Sequence, residues 1–312
     1  MLGAAVTREM RRLNASIYQY HEPFDWKNPA RISAQFGQAA AEFLAGLSGD
    51  DNWEIYWAAG IGTMNGVRAD LDAETTIFGT FLSLLLDQLS GCKASGLFGF
   101  ASSAGAVYAG SLDFEITEKS TVSPVNDYGK AKLLQEQMLE SFVSSGVQVK
   151  SLVARFSTLF GIGQSFGKRQ GLLSHITRCA LRHHPVEIFV PLDTSRDYLY
   201  VDDAAADFVA SLRALRGHGG MQRVRIIASE RSHTISEILS TFNRLIGRRL
   251  CYVCNRSALS NAYVPRVAYR SIFPVLSCVA SNKRTLLEGA AKLLHSERMA
   301  YVAGFQERGH DE

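Results

Sequence analysis

Tyr128 and Lys132 stand four residues apart in the run Asp127-Tyr128-Gly129-Lys130-Ala131-Lys132. On a helix that spacing puts both side chains on one face, one turn from each other. An ammonium beside a phenol favours the phenolate. The lysine is therefore expected to lower the tyrosine pKa from about 10 toward neutrality and make it usable as a base. The spacing alone arises easily by chance. It gains weight from a hydroxyl-bearing run upstream, Ser102-Ser103-Ala104-Gly105-Ala106-Val107-Tyr108.

The elements that must position these groups alternate between helix and strand. Leu2 to Leu13 reads as an amphipathic helix, Ser16 to Tyr20 as a short strand, and Ala30 to Leu47 as a helix entered at Asn28-Pro29. Trp53 to Ala59 is an apolar strand that ends at Gly60 and Gly62. Glu74 to Leu89 is a long apolar helix, and Gly96 to Ala101 a strand that runs into the serines. Tyr128 to Ser144 is the helix carrying the Tyr/Lys pair, and Val147 to Ala154 the strand after it. Strands separated by helices predict βαβ units and an α/β fold with a doubly wound parallel sheet, Rossmann-like, whose ligands sit beyond the carboxyl ends of the strands. After about residue 160 the pattern loosens. The run Gly161-Ile-Gly163-Gln-Ser-Phe-Gly167 is a loop, Leu172 to Arg182 a helix, and Val186 to Val190 a strand. Arg196-Asp-Tyr-Leu-Tyr-Val-Asp202-Asp203 leads into a helix through Leu215. Val224 to Ala228 is a strand, and Ile235 to Leu245 a helix capped near Ser232 or Thr234.

Bulk properties exclude several classes. With 312 residues the chain can bury a full core, and 46% hydrophobic with 20% charged residues is ordinary for a globular protein. The 33 basic and 30 acidic residues give only +3 and no concentrated basic face, which argues against nucleic acid as a partner. The most apolar stretch, Ile77 to Leu86, is too short to span a membrane and contains Thr80 and Ser83. The amino-terminal apolar run is too short for a signal peptide. Cys92, Cys179, Cys251, Cys254 and Cys278 are scattered and fit a reducing cytoplasm. Cys251 and Cys254 lack a second pair or nearby histidines, so thiols on one strand or loop are expected rather than a zinc site. His183-His184 reads as a solvated helix end, and no metal is expected.

With these residues in place the chain resembles the extended short-chain dehydrogenase/reductases, specifically the NAD-dependent epimerase/dehydratase group that acts on nucleotide sugars. The resemblance rests on Trp57-Ala-Ala-Gly60 after a strand, Ser102-Ser103 with Val107-Tyr108, Tyr128-x-x-x-Lys132, Arg155 with Leu159-Phe-Gly161, and Arg196-Asp-Tyr-Leu-Tyr-Val-Asp-Asp203. It implies that Tyr128 takes a proton from a sugar hydroxyl while hydride passes to NAD, with NADP not excluded. Lys132 would lower the tyrosine pKa and bind the nicotinamide ribose. Ser103, or alternatively Ser102, would hydrogen-bond the reacting hydroxyl. Arg196 would clamp the nucleotide diphosphate, a task that suits a planar cation. Gly3, Ala58, Ala59 and Gly60 would line the cofactor side, and Thr158 would contact substrate. Residues 1–160 would form the dinucleotide-binding part and 161–312 mainly a substrate-binding lobe, with some segments returning to the main sheet. A homodimer through the helices ending near Leu89 and Ser144 is also implied. Against these roles stand plainer ones: Tyr128 as an ordinary helix tyrosine, the serines as turn caps, and Arg196 as a partner of Asp193 or Asp197.

The chain also departs from the family pattern. The family opens with a strand and a Gly-x-x-Gly-x-x-Gly turn that brings backbone to the pyrophosphate. Here Gly3 aligns with the third glycine, and the strand and the first two glycines are missing. Either translation begins upstream of Met1, or the chain is a truncated member with an incomplete cofactor site that serves in binding or assembly. Ala104-Gly105 replaces the Asp-Glu pair that supplies acid and base in dehydratases, which argues against a 4,6-dehydratase. Thr158, Phe160 and Ile162 replace an asparagine, a tyrosine and a proline of the diphosphate-sugar motif, and Thr75 stands where many relatives have asparagine. Glu22 and Asp25 are both candidates for the acidic residue after the second strand. An epimerase or a reductase is the expected activity.

Overall fold

The computed structural model describes residues 1–47, 52–60, 62, 66–90, 94–164, 171–217, 219–255, 267–273 and 283–308, with side chains through 303. Cys92, Cys278 and the later part of the 161–167 loop lie outside the described residues. The first half comprises α1 (Leu2–Arg12), α2 (Pro29–Ala45), β1 (Trp53–Trp57), α3 (Arg68–Leu89), β2 (Gly96–Ser103), the short α4 (Ala104–Val107), β3 (Glu115–Ile116), α5 (Asp127–Val143) and β4 (Val149–Phe156). Then come β5 (Thr158–Phe160), α6 (Leu172–Arg182), β6 (Val186–Ile188), β7 (Ser195–Tyr200), α7 (Val201–Ala214) and β8 (Gln222–Ile227). The chain continues through β9 (Ser232–Thr234), α8 (Ile235–Ile246), β10 (Tyr252–Cys254), β11 (Ala268–Tyr269) and α9 (Leu286–Arg308).

The main sheet is parallel, in the order β1-β2-β4-β8. Its strands are apolar on both faces because helices cover both. Within β2, Leu97 faces the layer of α1 and α7, with Leu2, Val6 and Phe208. Its neighbours Phe98 and Phe100 face the layer of α2, α3 and α5, with Phe36, Phe78 and Leu139. That two-residue alternation is the strand period read against two hydrophobic layers. Phe78, Phe98 and Phe100 are fully buried. The last main-sheet strand, β8, arrives only after the chain has built part of a second unit and returned. The second unit packs α6, α8 and α9 around Leu173, Ile176, Ile238, Phe242 and Leu293, beside the small sheets β5-β7-β9 and β10-β6. Its α8 is capped at Thr234, which exchanges hydrogen bonds with Glu237 across the first turn. The alternative cap, Ser232, instead donates to the Val267 carbonyl.

Two expectations need correction. The helix expected from Glu74 begins earlier, at Arg68. The strand expected over Ser16 to Tyr20 does not form, and the segment runs as irregular backbone. A strand exists by its ladder, and here none is within reach. Ser16, Ile17, Tyr18 and Tyr20 form one wall of an open groove of about 1030 Å³, with Trp53–Trp57 along another. Among the described residues β1 is therefore an edge strand, paired with β2 alone.

No helix among the described residues is long and apolar enough to cross a membrane. No cluster of metal-ligating side chains occurs among them either. His183 terminates α6 in a left-handed conformation (φ 57°), and both it and His184 are exposed. Cys251, just before β10, and Cys254, its last residue, are exposed free thiols.

Candidate active site

The carboxyl ends of β2 and β4 lie side by side, with Ser102 opposite Arg155 and Ser103 opposite Phe156. α5 starts just above them. Asn126 caps it by accepting from the Gly129 amide at 2.8 Å, which fixes the turn that carries Tyr128. Gly129 is where α5 meets α4: a Cβ there would lie 2.5 Å from the Ala106 carbonyl oxygen. The absent side chain allows the close approach that sets Tyr128 over the end of β2.

The structure brings Ser103, Tyr128 and Lys132 together around a cavity of about 220 Å³, which Ser102, Ala58, Ala59 and Gly60 also line. Ser103 is close enough to Tyr128 to act on its phenol as a hydrogen-bonding neighbour. The Lys132 ammonium lies 5.8 Å from the centre of the Tyr128 ring and 5.2 Å from that of Phe100. It donates to Gln135 at 3.0 Å and to Glu74 at 3.2 Å, and the residue is only 5% exposed.

The phenol does not sit where the sequence places it on the pH scale. Burial raises the Tyr128 pKa above its ordinary value, the Glu74 carboxylate raises it further, and Ser103 as a hydrogen-bonding neighbour works the other way. The expected lowering by Lys132 is missing for a physical reason. Its charge is already balanced by Glu74, and that carboxylate also acts directly on the phenol.

The two serines separate cleanly. Ser102 is buried and donates to Glu136, whose carboxylate also receives Arg155 through Nε at 3.1 Å and Nη2 at 2.6 Å. Arg155 uses Nη1 on the Tyr108 hydroxyl at 2.6 Å. Burial works against the Arg155 charge, but Glu136 overrides it, so the guanidinium pKa sits above its ordinary value. Ser102 thus lines the cavity with its hydroxyl already taken up by the Glu136–Arg155 network, while Ser103 lies beside Tyr128.

On the cofactor side, Ala58, Ala59 and Gly60 follow β1. Gly60 has φ +142°, a conformation that favours glycine. A Cβ on Gly60 would lie 2.6 Å from Glu74 Oε1, and one on Gly62 would lie 3.2 Å from the Tyr128 ring. Gly3 sits in the first turn of α1, where a Cβ would meet Ala58 at 3.8 Å; it lines the large groove, and its neighbour Leu2 lines the small cavity. Arg196 and Thr158 stand apart from the lining. Arg196 lies on β7, where it donates to its own neighbour's carbonyl, Ser195, at 2.7 Å. Thr158 is exposed on β5, paired with Tyr198, while its neighbours Ser157 and Leu159 line the cavity. Asp197 is taken up by Ser229 and the Arg231 amide, so it anchors the loop after β8.

A model of the NAD dependent epimerase/dehydratase family matches residues 55–225, a span that holds the serines, Tyr128, Lys132, Arg155 and Arg196. The chain belongs to that family. It is 28% identical over 150 residues to the dTDP-4-dehydro-6-deoxyglucose reductase of Escherichia coli, covering 48% of this chain and 46% of the relative. It is also 28% identical over 191 residues to the UDP-glucose 4-epimerase of Yersinia pestis, covering 56% of this chain and 55% of the relative. The chain spans about half the length of the curated relatives it matches. Solved structures extend the likeness in fold. MoeE5 in complex with UDP-glucuronic acid and NAD, and the UDP-glucose 4-epimerase of Thermotoga maritima with UDP-glucose, each superpose with a TM-score of 0.73 over 96% of both chains at 18% identity.

Sequence reasoning missed three members of the site's polar frame. Gln135 and Glu136 were open to it: they stand three and four residues after Lys132 and so share its helix face. Glu74 carried no such signal, because its partner lies on another helix, 58 positions away.

Proposed function

We propose that this epimerase/dehydratase family member is an NAD-dependent oxidoreductase of nucleotide sugars, an epimerase or a reductase, with Tyr128 as its acid/base residue. The observation that carries this is the grouping of Ser103, Tyr128 and Lys132 about one cavity, with the ammonium 5.8 Å from the ring centre, at the carboxyl ends of the parallel strands where such folds take ligands. The residues present suit a nicotinamide coenzyme: a side chain at Gly62 would crowd Tyr128, and one at Gly60 would crowd Glu74 at the cavity wall. Ala58, Ala59, Gly60 and Lys132 would hold it, and Gly3 would border it from α1. When bound, the coenzyme supplies a hydride acceptor and donor at one sugar carbon. Tyr128 moves the proton of the adjoining hydroxyl, and Ser103 orients that hydroxyl by hydrogen bonding. NAD is preferred to NADP because related proteins are solved with NAD. Arg196 is proposed to hold the diphosphate and Thr158 to touch substrate, within a substrate-binding part after residue 160. A homodimer through α3 and α5 is part of the same proposal.

Ala104 and Gly105 follow Ser103 directly, so no carboxylate stands there for water loss, which supports epimerase or reductase over dehydratase. The test is Tyr128→Phe with UDP-sugars and dTDP-keto sugars as probes. Loss of about 10²–10⁴ in turnover is expected for removal of a general acid/base. Steady consumption of reduced coenzyme marks a reductase, and a constant coenzyme signal an epimerase. Turnover untouched in Tyr128→Phe would sink the assignment. Absence of coenzyme binding and of turnover would favour a binding or assembly role.

A further inference from the structure

Glu74 is spent where a ligand is needed. Its side chain is 9% exposed, in the second turn of α3. Oε2 accepts from the Gly62 amide at 2.9 Å, and Oε1 receives the Lys132 ammonium at 3.2 Å. The same carboxylate lies against Gly60, 2.6 Å from where a Cβ would sit. One side chain therefore engages the glycine backbone and the cation of the cavity and lies beside its phenol. The remaining space, about 220 Å³, falls below the ~300–1,000 Å³ usual for ligand sites.

The contact is built to open. Lys132 has a second acceptor, Gln135, at 3.0 Å, so its ammonium keeps a partner when Glu74 leaves. Breaking a buried pair is costly when the remaining charge is left without a partner, and Gln135 spares Lys132 that state. Gln135 is itself held by a bond to Thr75, at 3.2 Å, which leaves the fallback acceptor in place. We propose that Glu74 is a displaceable internal occupant of the coenzyme site: its carboxylate holds Gly62 and Lys132 until polar groups of the coenzyme replace it, and it thereby sets coenzyme affinity. The inference rests on the coenzyme reading given above. A site that must first open binds with an apparent affinity reduced by the fraction already open.

The experiment is NADH binding, followed by nicotinamide fluorescence, to the purified full chain and to Glu74→Gln and Glu74→Ala, with thermal unfolding alongside. Both variants are expected to stay folded and to bind NADH about tenfold more tightly, a gain of about 1.4 kcal/mol. The pH at which the Tyr128 phenolate absorbs, assigned by subtracting Tyr128→Phe, is expected to fall in Glu74→Gln, since a negative neighbour has been removed. Equal or weaker NADH binding in folded variants overturns the inference and leaves the coenzyme site standing. Loss of folding in both variants also overturns it, by making Glu74 structural. Folded proteins that all fail to bind NADH overturn both this inference and the coenzyme reading.

Discussion

Two buried carboxylate–cation pairs meet one face of α5, a turn apart, and they are built differently. Glu136 grips Arg155 through two guanidinium nitrogens and also accepts Ser102, while Arg155 reaches on to Tyr108. Planar geometry and a filled set of partners make that pair a fixed floor under the ends of β2 and β4. Glu74 meets Lys132 at a single longer contact, from another helix, with Gln135 ready to replace it. The first pair shows how a buried charge is locked. The second shows how one is kept available: a point charge on a flexible stem, facing a cavity rather than closed over by neighbours.

The comparison breaks most clearly at Glu136. Glu136→Ala strands the Arg155 guanidinium in a buried position, 5% exposed, and is expected to cost about 3–5 kcal/mol in denaturant unfolding. A loss below about 1 kcal/mol would mean that the floor is not locked. Next come the adjacent serines. Ser102→Ala removes a bond to a charged group and is expected to cost about 1.5–3 kcal/mol of stability. Ser103→Ala is expected to leave stability within about 0.5 kcal/mol and to lower turnover instead. Melting curves and initial rates on the two variants separate them, and exchanged phenotypes would reverse their roles. Glu74→Gln ranks third, with an expected stability change of no more than about 1 kcal/mol in the same unfolding experiment, since the neutral amide weakens the hold on Lys132 while Gln135 keeps an acceptor on the ammonium.

Much of this arrangement was legible in the chain because it depends on local periodicity. The strand ending at the serines, the helix carrying Tyr128 and Lys132, and the cap region of α8 all follow from patterns within about a dozen residues. What escaped depends on partners far apart in the chain. The Ser16–Tyr20 segment has strand composition, but a strand also needs a neighbour, and the groove beside β1 withholds one. The Tyr128 pKa was misjudged for a similar reason. Spacing identifies the lysine four residues away but not the glutamate on α3 that cancels it. The choice between Ser102 and Ser103 likewise needed Glu136, which takes up the Ser102 hydroxyl from 34 positions away.

The smallest expected effect is one of pH, and it tests the same contrast. Burial raises the phenols of Tyr128, Tyr198 and Tyr269, with Tyr198 pushed up to about 12. An unfolded tyrosine titrates near about 10. A phenol whose folded pKa is raised contributes stability that is fully present below the unfolded value and is lost as pH rises toward the folded one. Thermal stability should therefore hold up to about pH 10 and decline above it. In Glu74→Gln the decline should be shallower, because removing the carboxylate lowers the folded pKa of Tyr128 and narrows its gap from the unfolded value, while Tyr198 and Tyr269 contribute as before. In Glu136→Gln any change in slope should come through Tyr108, whose phenol Glu136 helps to raise, and not through Tyr128. Melting temperatures carried from about pH 10 upward toward the folded values check this, and equal slopes there in wild type and Glu74→Gln would count against an action of Glu74 on the phenol.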